Sequence, residues 1–181
     1  RSWKTGKFGV VPIPFGPPLI TDNNPRHEIY GLEDKAYAEH LIAAGNNTEY
    51  DLVFTYFSNV DAAAHAYGVN SEEYSFGVRT VAQALRTVLE SVGDETVVVL
   101  TADHGHVDVG GHGGTSDQVR KVPMVFFHTS VPAITHQRDV FSLDFAPTVS
   151  MLMGVPPPPE SEGTYVLDAL PLLGSSDEGV C

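Results

Sequence analysis

Short unbroken apolar runs alternate along this chain with longer stretches in which apolar residues return every three or four positions. Leu52-Val53-Phe54-Thr55-Tyr56-Phe57, Thr96-Val97-Val98-Val99-Leu100-Thr101 and Val122-Pro123-Met124-Val125-Phe126-Phe127 are the runs, each of strand length and bounded by turn-forming residues. The second is continuous enough to predict a strand buried on both faces, as in a parallel sheet, while Pro123 lacks a donor and sets the third at a strand start or sheet edge. Helical spacing predicts a surface helix over Gly31–Ala44, stopped by Gly45, and a long amphipathic helix over Ser71–Val92. The latter carries an apolar stripe of Val78, Val81, Leu85, Val88, Leu89 and Val92, with Asn70 and Glu73 as a capping-box variant. A further helix is expected from Asp144 to Met153, closed by Gly154 and the prolines Pro156 to Pro159. Strand and helix in alternation predict an α/β fold, a mostly parallel sheet flanked by helices.

With 181 residues of which 42% are hydrophobic, the chain can bury one core, so residues 1–181 read as a single domain. Asp and Glu outnumber Lys and Arg by 23 to 10, and the formal net charge of −13 disfavours nucleic acid polymers and anionic membrane surfaces as partners. An anionic substrate would need local positive charge, which a metal supplies. The one cysteine, Cys181, permits no intrachain disulfide and says nothing of the redox compartment. No apolar run approaches the roughly 20 residues that span a bilayer. The start at Arg1, in a Gly- and Pro-rich segment without Met, suggests a fragment of a longer product. Asn46-Asn47-Thr48 is a weak glycosylation signal.

Two acid-imidazole pairs follow the first two apolar runs. Asp61 and His65 come after the first, and Asp103-His104-Gly105 closes the second, with His112 following inside Gly110-Gly111-His112-Gly113-Gly114. In open parallel sheets the loops at the carboxyl ends of strands converge on one crevice, so these five residues could meet despite their separation. A mixture of carboxylate and imidazole suits Zn²⁺ first and Mn²⁺ second, over the oxygen-seeking Mg²⁺ and Ca²⁺. Two such ions about 4 Å apart clamp a phosphoryl group in transfer. Glycine beside His112 permits positive φ and a close backbone approach.

Each residue also has a plainer reading. Asp61 could cap a turn before the alanines, an Asp beside a His is often a surface pair, and His106 competes with His112 for its position. His27, His40, His128 and His136 lack paired acids and receive no role.

With those residues in view, the chain resembles the later part of an alkaline-phosphatase-superfamily catalytic domain, in the type I phosphodiesterase and nucleotide pyrophosphatase branch. Asp61-x-x-x-His65 and Asp103-His104-Gly105 carry the likeness to the family. Gly111-His112-Gly113-Gly114-Thr115-Ser116, Val122-Pro123, Leu143-Asp144-Phe145-Ala146-Pro147, Gly154-Val155-Pro156 and Ser161-Glu162-Gly163 look most similar to the GPI ethanolamine phosphate transferases. The resemblance implies an alkaline-phosphatase-like α/β fold without its N-terminal part, and two divalent metals. Asp61, His65 and His112 would hold one, Asp103 and His104 the other. It further implies a phosphodiester substrate, phospholipid or nucleotide, attacked by a Thr or Ser that would lie upstream of Arg1, since Ser2, Thr5 and Thr21 lack the strand-to-helix setting of an activated nucleophile. By the same analogy the site is the lumenal side of the endoplasmic reticulum membrane, with membrane segments outside this chain, or alternatively a secreted or cell-surface location. A hydrolytic phosphodiesterase, a phosphomutase, a non-catalytic metal-binding remnant and a plain α/β binding domain are the rival readings.

Overall fold

A computed structural model of the chain describes residues 8–10, 26–46, 51–129, 131 and 139–169, with side chains from residue 35 onward. In order, its elements are β1 (Phe8–Val10), α1 (Arg26–Gly45), β2 (Leu52–Phe54), α2 (Asn59–Tyr67), α3 (Glu72–Ser91), β3 (Val98–Thr101), α4 (Asp117–Arg120), β4 (Met124–Phe127), a 3₁₀ turn (Ser142–Asp144) and α5 (Phe145–Leu152). α1, α3, α5, β2, β3 and β4 fall where the periodicity put them, with α1 starting earlier than Gly31 and β2 ending at Phe54, whereas β1, α2 and α4 were not expected.

β1 and β2 pair in parallel, in the register Phe8 to Leu52, Gly9 to Val53 and Val10 to Phe54, with α1 as the intervening crossover. β3 pairs with β4, so the described strands form two separate pairs where one continuous sheet was expected. The doubly buried strand is also corrected. Leu100 of β3 is 37% exposed and Thr101 is exposed, because a strand in a two-stranded pair has little sheet to cover it.

The chain divides into two compact units. One comprises residues 7–93 and 100–124, and its core is Ala38, Ala84 and Val88, packed by Leu41, Ile42, Phe57 and Val92 where α1 lies against α3. Burying Val88 contributes roughly 1.5 kcal/mol. The buried line of α3 runs Gly77, Ala84, Val88, whereas Val78 of the expected stripe is 43% exposed. Gly77 leaves room on that line for α2. A Cβ at Gly77 would sit 3.7 Å from the Asn59 carbonyl oxygen and 3.9 Å from Ala63 Cβ. The helix cap is Ser71, not Asn70, since Ser71 Oγ accepts from Tyr74 N at 3.1 Å.

The other unit comprises residues 1–6, 94–99 and 125–181. Its organising residue is Asp144, 8% exposed, at the junction of the 3₁₀ turn and α5. Phe141 N donates to Oδ2 at 3.0 Å, and Thr164 N donates to Oδ1 at 2.8 Å. Thr148 Oγ1 in turn donates to the Asp144 carbonyl at 2.6 Å and accepts from Val166 N at 2.9 Å, fastening residues 164–166 to α5. Gly163 permits this contact, because a Cβ there would collide with the Leu143 carbonyl. No described helix is long and apolar enough to cross a membrane.

Candidate metal centre

Asp61 does not stand at a strand edge. β2 ends at Phe54, and Asp61 lies in the first turn of α2, four residues before His65 in its last turn. That interval puts both side chains on one face of the helix, with Asp61 Oδ1 3.4 Å from His65 Nε2. Ala63 and Ala64 on the same helix are fully buried, so the packing of α2 fixes the direction in which Asp61 and His65 project.

The loop between β3 and α4 supplies the remaining groups, and its backbone is held at several points. Val69 N donates to the Asp108 carbonyl at 3.2 Å, Gly105 N to the Val119 carbonyl at 2.8 Å, and Val107 N to the Gly111 carbonyl at 2.9 Å. Gly110 adopts φ +88° against α2, where any Cβ would collide with the Ala64 carbonyl. This close approach carries the loop's imidazoles to the acid of α2. Asp61 Oδ1 lies 2.9 Å from His106 Nε2 and 3.9 Å from His112 Nε2. His104 stacks on His112 with ring centres 3.9 Å apart, and His65 meets His112 edge-on at 4.9 Å.

Four imidazoles thus surround one carboxylate, in two overlapping sets whose ligand atoms lie within 4.8 Å of one another. The first is Asp61, His65 and His112; the second is Asp61, His104 and His106. Asp103 joins neither. Its carboxylate is 66% exposed, with Oδ1 accepting from His104 N at 3.0 Å and Oδ2 3.7 Å from His104 Nε2. Both carboxylates act on Tyr56, whose phenol is held above its ordinary 10.0 by burial first, then by Asp103 and then by Asp61.

The donor chemistry fits a divalent metal. At zinc–ligand distances near 2.0–2.1 Å, tetrahedral neighbours stand about 3.3 Å apart, which the 3.4 Å between Asp61 and His65 matches and the 3.9 Å to His112 approaches. His104 Nδ1 is 3.1 Å from the Gly105 carbonyl, which only accepts, so Nδ1 donates and the lone pair resides on Nε2. Imidazole ligands suit transition metals such as zinc, whereas magnesium and calcium favour shells of oxygen.

His106 and His112 do not exclude one another, as their competition in sequence suggested; the loop seats both. The His104-x-His106 spacing was the available signal. His40 is exposed, His128 is half-buried with a partner elsewhere, and the side chains of His27 and His136, like Ser2, Thr5 and Thr21, lie outside the described residues.

Residues 11–131, which include Asp61, His65, Asp103, His104, His106 and His112, match the sequence profile of the type I phosphodiesterase / nucleotide pyrophosphatase family. The chain belongs to that family. Its relatives within the wider phosphoryl-transfer group include the human GPI ethanolamine phosphate transferase 3 catalytic subunit, 26% identical over 69% of this chain and 12% of the relative. GPI ethanolamine phosphate transferase 2 of Eremothecium gossypii is 26% identical over 78% of this chain and 20% of the relative. The 2,3-bisphosphoglycerate-independent phosphoglycerate mutase of Thiobacillus denitrificans is 30% identical over 84% of this chain and 31% of the relative. The chain therefore spans between about an eighth and a third of the length of these proteins. No solved structure matches it.

Proposed function

We propose that this chain carries the metal-holding portion of a phosphoryl-transfer centre acting on a phosphodiester. Asp61, His65 and His112 would hold one divalent metal, and His104 with Asp103 would contribute to a second, zinc being the first choice and manganese the next. The observation that carries this reading is Asp61 Oδ1 standing 3.4 Å and 3.9 Å from two imidazole nitrogens contributed by separate segments. When bound, such ions neutralise the phosphoryl charge and activate the attacking oxygen. The protein's own part is to aim the ligands. α2 fixes the spacing of Asp61 and His65, the Gly105 carbonyl sets the His104 tautomer, and the loop backbone brings His112 to the carboxylate. The nucleophile is assigned to a Thr or Ser upstream of this chain.

Similarity to the ethanolamine phosphate transferases supports transfer of ethanolamine phosphate during GPI-anchor assembly, at the lumenal face of the endoplasmic reticulum membrane, with a phospholipid as donor. The family's own description favours a second reading, hydrolysis of a diester or nucleotide, in which water replaces the sugar hydroxyl as acceptor. The similarity to phosphoglycerate mutases supports phosphoryl transfer as the common chemistry of all these readings.

Metal content by plasma mass spectrometry, after dialysis against metal-free buffer, tests the shared core. About one zinc or manganese per chain is expected from the one ligand set complete in this chain. Asp61→Ala and His65→Ala should each lose it. A folded wild-type chain that retains no metal would sink the reading.

A further inference from the structure

His106 differs from the other three imidazoles of the cluster in where it sits. Its side chain is 7% exposed, against 24% for His104, 39% for His112 and 48% for His65. It meets the edges or faces of all three rings, at centre distances of 5.2 Å to His104, 5.7 Å to His112 and 5.8 Å to His65, and it also contacts Tyr74 of α3 at 6.5 Å. The other imidazoles open towards solvent, and His106 forms the floor beneath them.

Its contact with Asp61 is also of another kind. A separation of 2.9 Å between Nε2 and Oδ1 is that of a hydrogen bond, and shorter than the roughly 3.3 Å kept by two ligands of one tetrahedral zinc. A carboxylate offers no proton, so the proton belongs to His106 Nε2. A nitrogen that donates this proton has no lone pair left for a metal. We propose that His106 is a positioning residue: its Nε2–H donates to Asp61 Oδ1 and holds that carboxylate in the orientation its ligand role requires. The proposal rests on the metal reading above and goes beyond it by removing His106 from the set of ligands. An unrestrained carboxylate on a helix surface samples several rotamers, and fixing it before the metal arrives lowers the cost of binding. Burial strengthens the effect, because little water competes for Oδ1 from the side that His106 covers.

The test compares wild type, His106→Ala, His106→Met and His106→Gln in zinc affinity, measured by competition with a chromophoric chelator, with thermal unfolding as the check on folding. Gln carries an amide N–H near the position of Nε2, whereas Met fills the floor without a donor. Affinity should fall about 10- to 100-fold in His106→Ala and His106→Met and recover to within a few-fold of wild type in His106→Gln. X-ray absorption of the zinc-loaded wild type and His106→Gln should give the same number of imidazole ligands. An imidazole lost from the zinc in His106→Gln would make His106 a ligand and overturn the proposal, as would unchanged affinity in His106→Met. A separate readout needs no metal. The Nε2–H proton of His106 should be visible by NMR in the metal-free chain and vanish in Asp61→Ala; its absence from wild type would also count against the bond. A wild type that fails to bind zinc at all while showing this proton would sink the metal reading and leave the hydrogen bond standing, so the two failures are distinguishable.

Discussion

Asp61 and Asp144 each organise one unit of this protein, and they do so with opposite partners. Asp144 is 8% exposed and spends its carboxylate on main-chain donors, Phe141 N and Thr164 N, with the Thr164 hydroxyl adding a third contact at 3.3 Å. Asp61 has a side chain 32% exposed, and the partners around it are the imidazoles of His106, His65 and His112. A main-chain N–H has no alternative chemistry, so these bonds around Asp144 tie Phe141 and Thr164 to the start of α5. An imidazole can give up a proton, take one, or bind a cation. The same side chain therefore serves the fold in one unit and is available for chemistry in the other, and its surroundings alone decide which.

The sharpest way to break that contrast is to remove each carboxylate's work in turn. Asp144→Ala would leave the Phe141 and Thr164 N–H groups without their charged acceptor in a mostly buried position. It should cost about 3 kcal/mol of unfolding free energy, measured by urea denaturation, while the folded fraction keeps its metal. Asp61→Ala has the reverse signature, losing the metal with a smaller loss of intrinsic stability, because two of its three imidazole partners are exposed enough to turn to water. If Asp144→Ala unfolded as easily as wild type, its hydrogen-bond network would not be the support described here.

Much of this arrangement could be read from residues alone, and the parts that could not share a cause. The α3 helix was visible because apolar residues recur with its period over 20 residues. Its cap stands one position beyond the expected Asn70, since Asn70 and Ser71 are both good caps and only three-dimensional reach selects between them. Asp61 and His65 were recognisable as a pair, yet their helix was missed, because three consecutive alanines after Asp61 carry little apolar periodicity. The joint presence of His106 and His112 was not legible, because it depends on how a glycine-rich loop folds against Ala64, and no repeat in sequence encodes that. For the same reason Asp144 read as the start of a helix and not as the anchor of Thr164, 20 residues away. Local pattern carries local structure; contacts between distant segments need the packing that brings them together.

Two glycines sharpen the comparison at a smaller scale. A Cβ at Gly110 would collide with the Ala64 carbonyl and would also need a residue other than glycine at φ +88°, whereas a Cβ at Gly163 would collide with the Leu143 carbonyl without that added backbone cost. Gly163→Ala should cost about 2 kcal/mol, the common scale for a steric clash in a packed position, and Gly110→Ala more, because the backbone cost adds to the clash. Their effects on metal should separate. Gly110→Ala displaces the loop that bears His106 and His112 and should weaken zinc binding about tenfold or more, while Gly163→Ala should leave the affinity of the folded chain alone. Equal zinc affinity in the two variants would contradict the role given to the loop's approach to α2.

The smallest expected effect concerns the field that the site's carboxylates project. Tyr56 titrates above its ordinary 10.0, and after burial the larger electrostatic cause is Asp103, followed by Asp61. A raised folded-state value means that the neutral phenol supports the fold below pH 10.0 and that this support fades as pH rises through the folded value. In the metal-free chain, Asp103→Asn should bring the Tyr56 transition down towards 10.0, followed by NMR on ring-labelled tyrosine, and Asp61→Asn should do so by less. Neither should restore the ordinary value, because burial remains. The order of the two shifts is the informative part. Asp103 stands outside both sets of imidazole-linked donors and still dominates the field at Tyr56, so a larger shift from Asp61→Asn would mean that Asp103 lies further from the centre than its neighbour His104 implies.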